Sequence, residues 1–325
     1  MNEQQQHIVS PSNLDHIQSE PGDIPLSHKD IDSKLLQKDL SPSHVEKLWK
    51  PDSDNTVSEE DRITLYWHHR LRHAPLVVLR RLANRGLLPA CIKKVMKMPL
   101  CAACALATAH RRNWRTKGAS PSGVRNRTQA SPGSGTSADH IVLKQPGLIP
   151  QSTGILTHER FWGAVIFVDH FSDFVYSHLI RGTSSKDTLD AKHAYERVAK
   201  AHGVSVKSYH TDNLRFNDNN FTGDCVKAGQ TISFCGVGAH HQNGVVERKN
   251  KELTDGARTI LLHAKRKWPK IISTILWPFA LQSVVERHNR LSLDVNGKSP
   301  LKNSLPLLRR SDQLIFTPVD VQSTS

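Results

Sequence analysis

Hydrophobic and polar positions change their rhythm along this chain. Between residues 62 and 118, Leu65, Leu71, Leu76, Leu79, Leu82 and Leu87 recur at loose helical spacing, which predicts short helices. Beyond residue 137 the rhythm becomes that of an α/β domain. Asp139–Leu143 reads as a short strand. Phe161–Val168 (FWGAVIFV) is a near-continuous apolar run, as expected of a strand buried on both faces. DHFSD then makes a turn, and Phe174–Ile180 alternates as the second strand of a hairpin. A helix follows over Ser185–His202, with Gly203 suited to its C-cap. Next come a strand over Val204–His210, a short helix over Phe221–Ala228 and a short strand over Thr231–Cys235. Gly244–Lys267 has the apolar stripe Val246, Leu253, Ala257, Ile260 and Ala264 of a long amphipathic helix. Trp268–Arg290 reads as one or two further helices, interrupted at Pro269 and Pro278. Together these elements predict an α/β core, a mixed sheet with surrounding helices, preceded by a small helical module.

Composition supplies the boundaries. Residues 1–61 hold 13 acidic and 5 basic side chains, punctuated by Ser and Pro. They read as a mostly disordered leader, with one short helix around Ser33–Leu40. The helical module spans 62–118. The Ser/Gly/Pro-rich stretch 119–137 reads as a linker, 138–305 as the core and 306–325 as a tail. From Arg62 to Ala138 there are 15 basic residues and no acidic one, within a chain of net charge +14. Such a basic surface attracts polyanions, nucleic acid above all. No apolar run approaches the roughly 18 residues of a membrane span, so no membrane partner is expected. The opening MNEQQQHIVS lacks a secretion-signal pattern.

Five cysteines, two of them in a tight CxxC, suit a metal site better than a disulfide framework. His68, His73, Cys101 and Cys104 form H-x4-H followed by C-x2-C. Four N/S ligands in a tetrahedron make a closed, structural zinc site. Histidines five apart cannot share one face of an ideal helix. Pro75 disfavours helical geometry at Ala74, which lets His73 sit at the frayed helix end. His69 is an alternative to His68. Cys91 reads as a small apolar core residue.

A second constellation is carboxylate. Asp139 opens a strand, Asp212 follows one, and Glu247 lies near the start of the long helix. Phosphoryl transfer on DNA needs carboxylates projecting from different elements toward one point, where they hold divalent cations. Glu247, Lys251, Thr254 and Arg258 share a helix stripe, with Arg248 beside it. Metal at one end and DNA phosphate beyond is one reading of that stripe. An i,i+4 Glu–Lys surface pair is the other.

These residues carry a family resemblance. WHHRLRH followed by C-x2-C resembles the HHCC zinc module that precedes integrase in Gag-Pol polyproteins of Ty1/copia-type retrotransposons. FVDHFSDF, HTDN and HHQNGVVERKNK resemble the D,D,E integrase core of the same elements, over roughly residues 62–305 in all. The resemblance implies an RNase H-like fold, Mg²⁺ or Mn²⁺ at Asp139, Asp212 and Glu247, and structural Zn²⁺ at His68, His73, Cys101 and Cys104. It implies 3′-end processing and strand transfer of element DNA into target DNA, with a homo-oligomer to hold two ends. It also places Lys251 toward the element's DNA end and Gln242-Asn243-Gly244 in a mobile loop. Asp169 is the rival to Asp139; in the resembled pattern it ends the second strand, and with Asp173 it reads as a turn residue. Departures from the pattern are Arg72 and Leu214, both where glycine is usual, and 34 residues instead of 35 between Asp212 and Glu247. A catalytically inactive or domesticated zinc- and DNA-binding remnant is the alternative function. The implied location is the nucleus at integration, preceded by a cytoplasmic particle.

Overall fold

The computed structural model describes residues 58–109, 131–150, 158–213, 215–235, 243–294 and 296–304. The helix expected at Ser33–Leu40, most of the leader and linker, Leu214, Gln242 and all of the tail lie outside the described residues.

The first helix, α1 (Glu59–Arg70), begins inside the segment assigned to the leader. Its N-cap Ser58 accepts from the Asp61 backbone N–H at 3.2 Å. Glu59, Glu60 and Asp61 fill the first turn, and His68, His69 and Arg70 the last. Acidic residues suit the positive end of the helix dipole and basic ones the negative end. The acidity that suggested disorder is therefore, in its last three residues, a helix start. Helix α2 (Leu76–Asn84) follows Pro75, and a single 3₁₀ turn covers Ala90–Lys93. Helix α3 (Ala102–Ala107) begins directly after Cys101.

The core is one five-stranded sheet. Its strands are β1 (Thr136–Gly147), β2 (Phe161–Asp169), β3 (Val175–Ile180), β4 (Ser208–Thr211) and β5 (Thr231–Phe234), in the spatial order β3-β2-β1-β4-β5. β1, β2 and β3 pair antiparallel, whereas β1–β4 and β4–β5 are parallel. Parallel neighbours require crossovers, which α4 (Ser185–Ala201) and α5 (Asn219–Lys227) supply. This mixed sheet with flanking helices is the RNase H-like arrangement that the sequence implied. On one face Ala138, Val165, Phe167, Tyr195, Tyr209 and Phe216 form the centre of the core, with Phe167 and Tyr195 stacked at 4.8 Å. Across the sheet, α6 (Gly244–Lys267) packs on β1 and β2, and α7 (Trp277–Leu291) packs on α6 and β3. A last short helix, α8, covers Pro300–Ser304.

Three expected elements differ in extent. β1 starts at Thr136, within the stretch assigned to the linker, because Thr136 and Ser137 already pair with Asp169 and Val168. The strand expected from Val204 starts only at Ser208. The Val204 N–H still closes the end of α4 by bonding Ala199 O at 2.9 Å, after Gly203 turns with φ 74°. Pro278 does not interrupt a helix; it stands in the first turn of α7, where its missing N–H is no loss.

Candidate functional site

The four sulfur and nitrogen ligands predicted from spacing come together. Ligand atoms of His68, His73, Cys101 and Cys104 all lie within 4.8 Å of one another. His68 Nε2 is 3.1 Å from His73 Nδ1 and 3.3 Å from Cys104 Sγ. His73 Nδ1 is 3.5 Å from each of the two sulfurs. A tetrahedral zinc with ordinary bond lengths has edges of about 3.4 Å between nitrogens and about 3.6 Å between nitrogen and sulfur. The donor set therefore fits zinc in both type and spacing. His68 Nδ1 lies 2.9 Å from Ala74 O, a partner that would fix the ring with Nε2 turned toward the ligands.

The chain reaches this geometry by a reversal. α1 ends at Arg70, and Arg72 and His73 then take left-handed backbone, with φ of 56° and 61°. The His73 N–H returns to His68 O at 2.7 Å. Fraying before Pro75 is thus not the device; two consecutive left-handed residues are. Arg72 stands where glycine would take that conformation without a Cβ penalty. His69, the alternative ligand, is exposed, with Nε2 3.5 Å from Cys101 Sγ. It falls in a second group with His73 and His263 instead. Cys91 packs beside an apolar cluster away from the site, as expected.

The two thiols are pulled in opposite directions. A hydrogen bond from Cys104, followed by those of the surrounding histidines, holds the Cys101 thiol far below its ordinary range. The Cys104 thiol is pushed far up by the same bond and by burial. Burial lowers His73. Zinc requires deprotonated thiols and neutral imidazoles, and the lowered Cys101 and His73 lie in that direction.

The three carboxylates converge from distant parts of the chain. Ala138 on β1 is in register with Thr211 on β4, so Asp139 and Asp212 come next, side by side, where β4 ends. Glu247 lies in the first turn of α6. One turn further along that helix, Asn250 Nδ2 donates to Asp139 Oδ2 at 2.8 Å. Asn243, the helix N-cap, donates to Ala138 O at 3.2 Å. Cys235, just past β5, has its thiol raised first by burial and then by Asp212, Glu247 and Asp139. All three carboxylates thus act on one atom. They are not among the groups of three ligand atoms within 4.8 Å, so the centre is open where the thiol and imidazole centre is closed. Three carboxylates suit a hard divalent cation such as Mg²⁺.

Asp169 has another task. Its carboxylate accepts from Gly133 N and Ser172 N, both at 2.8 Å, and from Ser172 Oγ at 2.6 Å. It is the buried pin of the β2–β3 turn, in which Asp173 has φ 60°. Arg248 and Lys251 are exposed beside Glu247, whereas Arg258 is half-buried. Motif reading did not single out Asn250. The signal was there, three residues after Glu247 and so on the same helix face. Buried Lys249, at 3.4 Å from Asp173 and 3.0 Å from Glu252, fastens α6 to the β2–β3 turn. Among the described residues, no helix is long and apolar enough to cross a membrane.

Comparison with known proteins gives a family match over one segment of the chain. Residues 40–109 match the GAG-pre-integrase domain. No curated protein sequence matches the chain. The HTLV-2 integrase catalytic core domain in complex with magnesium aligns at 17% identity, over 54% of this chain and 99% of that one, with a TM-score of 0.37. The BIV integrase catalytic core domain aligns at 18% identity, over 52% and 91%, with a TM-score of 0.36. A simian T-cell lymphotropic virus intasome in complex with the PP2A regulatory subunit B56 gamma aligns at 16% identity, over 76% and 78%, with a TM-score of 0.40. The segment that matches the GAG-pre-integrase domain includes His68, His73, Cys101 and Cys104.

Proposed function

We propose that the chain is a retrotransposon integrase of Ty1/copia type, which processes the 3′ ends of element DNA and joins them to target DNA. The observation that supports this reading most is that the β1–β4 register sets Asp139 beside Asp212 and the Asn250–Asp139 hydrogen bond brings the first turns of α6, with Glu247, to the same strand ends, behind a zinc-type module matched to the pre-integrase family. Divalent ions held there would activate an attacking oxygen and stabilise the leaving one. The chain's own residues prepare that chemistry. Asn250 holds one Asp139 oxygen, which fixes the carboxylate's orientation. Asn243 ties the start of α6 to β1, which sets Glu247 over the strand ends. Exposed Arg248 and Lys251 would meet DNA phosphates, giving binding that weakens with salt. His68, His73, Cys101 and Cys104 would hold zinc in a structural role. Joining two element ends implies a homo-oligomer, and access to chromosomal DNA implies the nucleus at that step, after a cytoplasmic particle.

The test is a branched DNA that mimics the joined product, incubated with the full chain and Mn²⁺ or Mg²⁺. Resolving the branch reverses strand transfer and needs no knowledge of the element's ends. Metal-dependent resolution is expected, reduced at least about 100-fold in Asp139→Asn, Asp212→Asn and Glu247→Gln. Absence of resolution by well-folded, zinc-loaded protein that still binds DNA would overturn the enzyme reading in favour of a zinc- and DNA-binding remnant.

A further inference from the structure

The four-ligand site does not stand on the module alone. Both apolar clusters of the module close over residues of the core. Leu291 and Leu293 are buried with Leu71, Leu79 and Ile92, and Leu262 of α6 is buried with Cys101, Ala103 and Ala107. Arg81 adds a hydrogen bond from its guanidinium to Leu293 O.

The left-handed turn that carries His73 is gripped from α7 in both directions. Arg72 Nη1 donates to Glu286 Oε2 at 2.8 Å and to Ser283 O at 3.1 Å. Arg287 Nη1 donates to Arg72 O at 2.6 Å and reaches His73 O at 3.4 Å. The Arg287 guanidinium also lies in the field of Glu252 and Cys104. From α6, the His263 ring stands edge-on to His69 and His73, with centroids 4.5 and 4.8 Å away. Arg72 is therefore more than a poor substitute for glycine. Its side chain returns to the core a contact that glycine could not make, which offsets part of the strain at φ 56°.

We infer that the metal site is assembled jointly by the module and the core, with Arg287 as the positioning residue that holds the His73 turn. Metal binding and docking of the module against α6 and α7 then form one linked equilibrium. The inference rests on the reading of His68, His73, Cys101 and Cys104 as a metal site. Linkage is reciprocal: what docking contributes to metal affinity, metal contributes to docking. Because α6 carries Leu262 and His263 toward one end and Glu247 and Asn250 toward the other, the docked module also steadies the helix that presents the carboxylate.

The experiment measures Zn²⁺ affinity of the full chain by competition against a chromophoric chelator, together with backbone hydrogen exchange with and without Zn²⁺. Arg287→Ala is expected to weaken Zn²⁺ binding by about 10- to 100-fold, the usual effect of removing a partner that orients a metal ligand. Exchange within β1, β2 and β3 stays as in the unaltered protein. Stripping Zn²⁺ from the unaltered protein speeds exchange at residues 259–267 and 287–293 but not in those strands. Arg287→Lys keeps the charge and loses the forked donor, and serves where the alanine variant does not fold. Its affinity is expected to lie between the other two. Unchanged affinity in a folded Arg287 variant overturns the inference, as does exchange at both segments that ignores Zn²⁺. Unaltered protein that binds no Zn²⁺ overturns the metal-site reading itself, so the two failures are distinct.

Discussion

The two ligand constellations of this chain are built in opposite ways. The thiol and imidazole donors come from one short stretch, His68 to Cys104, and already lie within 4.8 Å of one another. The carboxylates come from Asp139 on a strand, Asp212 just past another and Glu247 on a helix, and their oxygens are not all within 4.8 Å of one another. Thiol and imidazole donors can crowd together with little repulsion. Three carboxylates cannot, since like charges at contact distance disfavour ionisation. On the proposed reading, the contrast is between a site that would complete a small fold and one that would stay accessible to a substrate carrying its own phosphate oxygens.

The largest effect should come from breaking the closed site. Cys101→Ser should abolish Zn²⁺ binding and remove much of the roughly 10–16 kcal/mol that structural zinc contributes to small domains. Zinc stoichiometry and hydrogen exchange across α1–α3 measure it, and unchanged stoichiometry would refute the site. The open site should respond in the other sense. Asp212→Asn should lose metal-dependent chemistry while leaving the unfolding free energy unchanged to within about 0.5 kcal/mol, as for a surface change outside the core.

An intermediate effect belongs to the core that carries the open site. Lys192 is fully buried between Asp224 at 2.6 Å and Glu196 at 2.9 Å. Asp224→Asn leaves that ammonium half-paired and should destabilise the chain by about 3 kcal/mol in urea. Zn²⁺ stoichiometry should not change, since α4 and α5 do not touch the module's ligands.

The smallest effect is a pH dependence at the joint between the two regions. Burial raises the Glu252 carboxyl, but the bond with His288 and the charge of Lys249 outweigh it and bring it from 4.5 down to about 2. A folded pKa below the unfolded one means that this contribution is complete above about pH 4.5. It is lost as pH falls toward 2. Glu252 is about half exposed, so solvent screening keeps the effect modest. Unfolding midpoints in urea should fall over that window, and Glu252→Gln should flatten that part of the curve. An unchanged slope in the variant would remove Glu252 from the account.

Much of this was legible in the residues, for identifiable reasons. The long helix was readable to its ends, because the apolar stripe from Val246 to Ala264 has one period and Trp268 and Pro269 stop it. The four soft ligands were readable because C-x2-C and paired histidines are local. What sequence could not show is how the chain turns between His68 and His73. The left-handed backbone at Arg72 is stabilised by Glu286 and Arg287, more than 200 positions away. Helix α1 was missed at its start because acidic residues read equally as disorder and as a helix N-terminus. The resembled pattern already set Asp169 apart from Asp139, and the structure shows the Asp169 carboxylate spent on Gly133 and Ser172.

The central claim is that Asp139, Asp212 and Glu247 act as one divalent-metal centre. Electron paramagnetic resonance of Mn²⁺ titrated into the zinc-loaded full chain tests it most directly, because it needs neither DNA nor turnover. The account predicts Mn²⁺ bound to the unaltered protein and weakened at least about 10-fold, a contribution near 1.4 kcal/mol, by Asp139→Asn, Asp212→Asn and Glu247→Gln, each alone. Mn²⁺ binding that all three substitutions leave unchanged would contradict it.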